Sequence, residues 1–220
     1  MSEIWILLLL LLTAALPVIF VFCWFSFKKS PVTLPYFLVS LAAGVLSLLV
    51  AAILQNLIPV LGWNGQSRPF LIFFNVFFRI AFTEELSRII IFIPLFWVIK
   101  SRIDADLSFF AAVGLVAGLG FAMLENAFYG LADINLSLLR AFTAAPLHAA
   151  CAIRVAVAVF FLTRYPVKTI FLFVFAVLIH GAYNMTIITP GLPSVLSILI
   201  GFTALFSSLP FLKAVEKVGA

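Results

Sequence analysis

The stretch 70-FLIFFNVFFRIAFTEELSRIIIFIPLFWVI-99 decides how this chain is to be read. It exceeds the roughly 20 apolar residues that cross a bilayer, yet Glu84, Glu85 and Arg88 lie near its middle. An ionised side chain at that depth costs about 2.5–3.5 kcal/mol on insertion scales, so such residues face a protein interior or a wet cavity. The same pattern recurs downstream, where Glu125, His148 and His180 also sit inside long apolar runs. Both histidines and three of the eight acids therefore fall at membrane depth in a chain that is 65% hydrophobic and only 10% charged. That concentration reads as a reaction centre inside the bilayer.

Working outward, a mean hydropathy of +1.30 over 220 residues leaves no room for a soluble domain. One integral membrane domain, 1–220, is expected, an all-α polytopic transmembrane helical bundle of about seven spans near 4–27, 35–61, 70–99, 107–130, 138–163, 168–189 and 192–212. The first is read as a retained helix, because no positive segment precedes its long apolar run. Gly114, Gly118 and Ala122 recur every four residues and predict close helix packing, while Pro94, Pro146 and Pro166 predict kinks or helix ends.

The net charge of +5 comes from basic residues that punctuate the apolar segments instead of forming a patch, so no nucleic-acid partner is expected. Lys28, Lys29, Lys100, Arg102, Arg164, Lys168, Lys213 and Lys217 fall in connections on one side, against Arg68 and Arg140 on the other. The positive-inside rule then puts the N-terminus outside and the C-terminus in the cytoplasm. Cys23 and Cys151 lie in apolar segments and are not expected to form a disulfide.

Four segments carry the chemistry. In Glu84-Glu85-Leu86-Ser87-Arg88 the arginine is one helical turn from both acids. Neighbouring carboxylates point about 100° apart, so one can pair with Arg88 while the other faces a cavity as a general base. The competing reading is a buried ion-pair knot that holds the bundle. Gly120 to Tyr129 contains Glu125, which taken alone would suit the interface. Pro146-Leu147-His148 offers an imidazole that could equally bond a neighbouring helix. In His180-Gly181-Ala182-Tyr183-Asn184 the histidine and asparagine share a face; Asn184 could fix a tautomer or donate to an oxyanion, and Gly181 leaves room for a close neighbour. Arg154, six residues beyond His148, need not share the site. Together the groups suit water activation. No His-Glu-x-x-His helix, Gly-x-Ser-x-Gly elbow or Gly-x-Gly-Asp aspartyl motif is present.

The ordered set EELSR, GFAMLENAFY, PLHAA and HGAYN resembles the PrsW family of intramembrane proteases, within the clan of CAAX-prenyl proteases and bacteriocin-processing membrane proteins. The resemblance covers roughly 70–189, which would be the catalytic core helices; Arg88 stands where the family's Glu-Glu-x-x-Lys motif has lysine. It implies a glutamate-dependent endopeptidase of bacterial or archaeal cell membranes that cuts a membrane-anchored protein or peptide, in PrsW itself an anti-sigma factor. Glu84 and Glu85 would be the catalytic pair, supported by Arg88, and Glu125, His148, His180 and Asn184 would complete the site. No cofactor is expected; were a metal bound, zinc suits this donor set, with Glu84, His148 and His180 as ligands. Partners would be membrane lipid and the substrate. The alternative is a non-enzymatic membrane protein, either a proton-coupled transporter or a substrate-binding pseudoprotease.

Overall fold

The computed structural model describes residues 3–28, 32–61, 69–189, 191–193 and 195–213; Lys29, Arg68 and Lys217, used above to orient the chain, lie outside them. Helix α1 spans Glu3–Lys28 and α2 Leu34–Leu57. The third rod is composite: α3 at Pro69–Phe74, a π-helical segment at Asn75–Phe82, then α4 at Thr83–Lys100. There follow α5 (Leu107–Ala132), α6 (Ile134–Phe161), α7 (Pro166–Ile188) and α8 (Val195–Leu212). The described residues contain no strand. The protein is an all-α polytopic bundle. Five helices, α2 and α5 to α8, are long and apolar enough to cross a membrane; α1 supplies a shorter apolar stretch, Leu12–Lys28.

Local chemistry sets the boundaries. The Asp106 carboxylate accepts from the Phe109 amide at 2.8 Å and caps α5. Asp133 alone joins α5 to α6, and its carboxylate accepts from Asn135 N at 2.9 Å. Pro166 opens α7 as its first residue, where a missing N–H costs nothing; Pro94 and Pro146 lie inside α4 and α6.

The α5–α6 hairpin is the centre of the molecule. Both helices are apolar nearly all round and buried nearly all round, whereas α2, α7 and α8 bury one face and leave the other to lipid. A one-residue turn makes the hairpin symmetric about Asp133, so residues equidistant from it meet at one depth. Gly118 therefore faces His148, and a Cβ there would collide with the His148 carbonyl oxygen; Gly114 meets Ala152 in the same way. The small-residue spacing of α5 thus serves the expected close packing.

The sequence predicts one span over 70–99, with a kink or end at Pro94. The structure puts the irregularity earlier, where the π segment inserts a wider turn just before the acids. The chain after α2 is clamped to it: the Asn75 amide donates to Leu61 O at 2.7 Å and accepts from Leu61 N at 3.2 Å, and Arg79 Nε donates to Ile58 O at 3.1 Å. Thr83 Oγ1 closes the segment on the carbonyls of Arg79 and Ile80. Glu84 and Glu85 begin α4 immediately afterwards.

Candidate active site

Glu84 and Glu85 (α4), His148 (α6) and His180 (α7) are all buried, and Glu125 (α5) is 17% exposed at its side chain. They form one network. Arg88 Nη1 donates to Glu85 Oε1, and Arg88 Nη2 lies 2.8 Å from His148 Nδ1. Since a guanidinium only donates, His148 Nδ1 must accept, and its ring proton sits on Nε2. That N–H donates to Glu125 Oε2 at 2.8 Å, the same oxygen that accepts from Arg140 Nη2 at 2.7 Å. Arg140 Nε in turn donates to Asn126 Oδ1 at 3.0 Å. Glu125 is therefore drawn inward by two donors from α6 and not left at the interface.

The neighbouring acids have different partners. Glu85 is held by Arg88 and by His180, whose Nδ1 lies 2.7 Å from Glu85 Oε1. Facing an ionised carboxylate, Nδ1 is the protonated nitrogen, which directs Nε2 of His180 toward Glu84 Oε2 at 3.5 Å. Glu84 Oε1 accepts from the Gln55 amide of α2 at 3.2 Å. Glu84 Oε2 is buried with no hydrogen-bond partner among the described residues. So it is Glu85 that pairs with Arg88, and Glu84 that meets only a neutral amide and an imidazole. Arg88 orients Glu85 directly, and Gln55 does so for Glu84.

Three carboxyls and two guanidiniums leave one negative charge in excess, which burial makes costly unless a proton or a cation offsets it. The Glu84–His180 pair is where either could sit. Tetrahedral zinc with bonds near 2.1 Å holds neighbouring ligand atoms about 3.4 Å apart, close to the 3.5 Å seen here. Glu85 behind His180 completes the carboxylate–histidine arrangement typical of metal sites. Glu84, His148 and His180 each offer a ligand atom within 4.8 Å of the others. The donor set fits a divalent ion, with the condition that His148 gives up one of its two hydrogen bonds.

Residues 32–209 match the family described as PrsW family intramembrane metalloprotease. The chain belongs to this family. No curated protein and no solved structure matches it. As a member of the PrsW family it is an integral membrane protein of an intramembrane protease lineage, acting on protein within a membrane.

Of the residues read from sequence, six converge: Glu84, Glu85, Arg88, Glu125, His148 and His180. Asn184 does not join them; it is half-buried one turn beyond His180, and its side chain makes no hydrogen bond to another described residue. The space beside Gly181 holds the ring of Phe77 from the π segment. Arg154 is apart, as its spacing suggested, donating to the carbonyls of Ala150 and Ala204 and to Ser207 Oγ. Gln55 and Asn126 have no distinguishing spacing in the sequence, and Arg140 reads there only as a charge near a span start. Its partnership had a signal: Glu125 and Arg140 lie eight and seven residues either side of the Asp133 turn.

Proposed function

We propose that this protein hydrolyses a peptide bond in a membrane-anchored protein, of which an anti-sigma-factor-like regulator is one example, with Glu84 as general base. The observation that carries the reading is the free Glu84 Oε2 opposite His180 Nε2. A water held between them would give its proton to Glu84 as its oxygen attacks the scissile carbonyl. The carboxyl then passes that proton to the departing amine, so it is regenerated as the bond breaks. His180 is kept in one tautomer by Glu85, and Glu85 in one orientation by Arg88. Gln55 holds Glu84 by a neutral donor, which limits its motion without supplying a compensating charge.

His148 couples the two halves: Arg88 and Glu125 grip opposite sides of its ring. Asn184 would donate to the oxyanion once substrate is bound. When a divalent ion is bound, Glu84, His148 and His180 would hold it, and it supplies Lewis-acid activation of water.

We place the N-terminus outside and the C-terminus in the cytoplasm of a prokaryotic cell membrane, with helices 70–189 as the catalytic core. Glu84 then lies near mid-membrane and cleavage falls in the outer half of the substrate or just beyond it. Leu131, exposed at the end of α5, gives the test of this orientation: Leu131→Cys in a cysteine-free background should react with an impermeant maleimide from outside only. The function itself is tested with purified protein in liposomes holding membrane-anchored peptides. Cleavage by wild type that is lost in His180→Ala supports the proposal; binding without cleavage by wild type supports the non-enzymatic alternative.

A further inference from the structure

A second feature lies on another face of the α5–α6 hairpin. A cavity of about 640 Å³, within the range of small-molecule sites, opens between α1 and α8 over a floor of α5 and α6. Its walls include Trp24 of α1, Leu119 of α5, Phe142 and Pro146 of α6, and Leu209 of α8. It shares no residue with the carboxylate–imidazole network. On α1 and on α6 the lining runs from Leu16 to Trp24 and from Ala141 to Ala149, eight steps or about 12 Å along each axis. The cavity is thus elongated along the helices and almost entirely apolar.

One end of it carries charge. Lys28 follows Trp24 by one helical turn and therefore shares its face. Lys213 likewise stands four residues beyond Leu209. Both lysines are exposed. As first and seventh of the helical rods, α1 and α8 run in the same direction, so both ammoniums mark the same membrane surface.

We propose that this cavity binds one membrane phospholipid with an anionic headgroup, a hydrocarbon chain lying in the groove and the phosphate meeting Lys28 and Lys213. The apolar walls select a chain over a polar ligand, and the two lysines select an anionic headgroup over a zwitterionic one. A lipid here fastens α1 to α6 beside Pro146, two residues before His148.

The test is thermal unfolding of the full-length protein, delipidated in detergent, on adding phosphatidylglycerol or phosphatidylcholine, with native mass spectrometry of the lipid retained. Phosphatidylglycerol should raise Tm by several degrees, on the order of 3–5 °C, and phosphatidylcholine by much less. One phosphatidylglycerol should stay bound. Lys28→Gln with Lys213→Gln, both at the surface, should remove most of the difference between the lipids, and Ala141→Phe should abolish retention. Equal stabilisation by the two lipids, an unchanged preference in the lysine double variant, or a dimer cross-linked through this face with no lipid retained overturns the proposal. Should Ala141→Phe fail to fold, the lysine variant decides alone.

Discussion

Two buried arginines in this molecule lie at opposite ends of the same reasoning. Arg88 sits among acids and imidazoles from four helices; Arg154, six residues beyond His148 on α6, meets no carboxylate among the described residues and is satisfied by two main-chain carbonyls and a serine. Each is a full charge withdrawn from water at membrane depth. The Arg154 cluster is closed, with Ser207 also bonded to the Ala204 carbonyl. The Arg88 cluster is open at Glu84 Oε2 and Glu85 Oε2, buried oxygens without hydrogen bonds among the described residues. The difference teaches that burial of charge alone does not mark a site. Convergence with an atom left over does.

The largest expected effect is on Arg88. Arg88→Ala leaves Glu85 buried and uncompensated, at a cost of roughly 3–5 kcal/mol, and should abolish cleavage as well. Arg88→Lys restores a charge but cannot grip Glu85 and His148 together, so it should recover stability more than activity. Thermal unfolding and cleavage rates, taken together, check both. Wild-type stability in Arg88→Ala would mean that the network is solvated.

Next comes Gln55. Gln55→Leu removes one hydrogen bond to a charged group, worth about 1.5 kcal/mol at the low end for a half-buried donor, and should slow cleavage roughly tenfold while lowering Tm by only a few degrees. Gln55→Asn should recover part of that rate if the amide is what matters. The loss should fall on kcat with KM nearly unchanged, which a purely structural role would not produce.

How much of this was legible in the chain follows from the same contrast. Ionisable residues in apolar runs are conspicuous, so Glu84, Glu85, Arg88, Glu125, His148 and His180 could be read directly. The bundle follows from the same runs. The π segment could not be read, because a wider helical turn has no sequence pattern of its own, and Asn75 and Arg79 find their carbonyl partners only once the chain after α2 folds against them. Gln55 near the end of α2 looks like an interfacial residue, and only the crossing of α2 over α4 brings it to Glu84. Asn184 shows the reverse: helical spacing put it on the face of His180, yet spacing says nothing of whether a partner stands there.

The smallest expected effect is at Arg154. Arg154→Met keeps the volume and strands no acid, so stability should change by less than about 1 kcal/mol and cleavage by less than about twofold. A large loss of cleavage with unchanged Tm would join Arg154 to the reaction and break the contrast.

The central claim is that Glu84 is the base, while Glu85 and Arg88 hold the geometry around it. Its most direct test is the rate of peptide cleavage by Glu84→Gln in liposomes, beside Arg154→Met at equal folded protein. The substitution keeps the size of the side chain and the capacity to accept from Gln55, and removes only the base. Glu84→Gln should retain wild-type Tm to within a few degrees and lose about 10²–10⁴ in kcat, while Arg154→Met keeps its rate. A folded Glu84→Gln protein that cleaves at the wild-type rate would contradict the account.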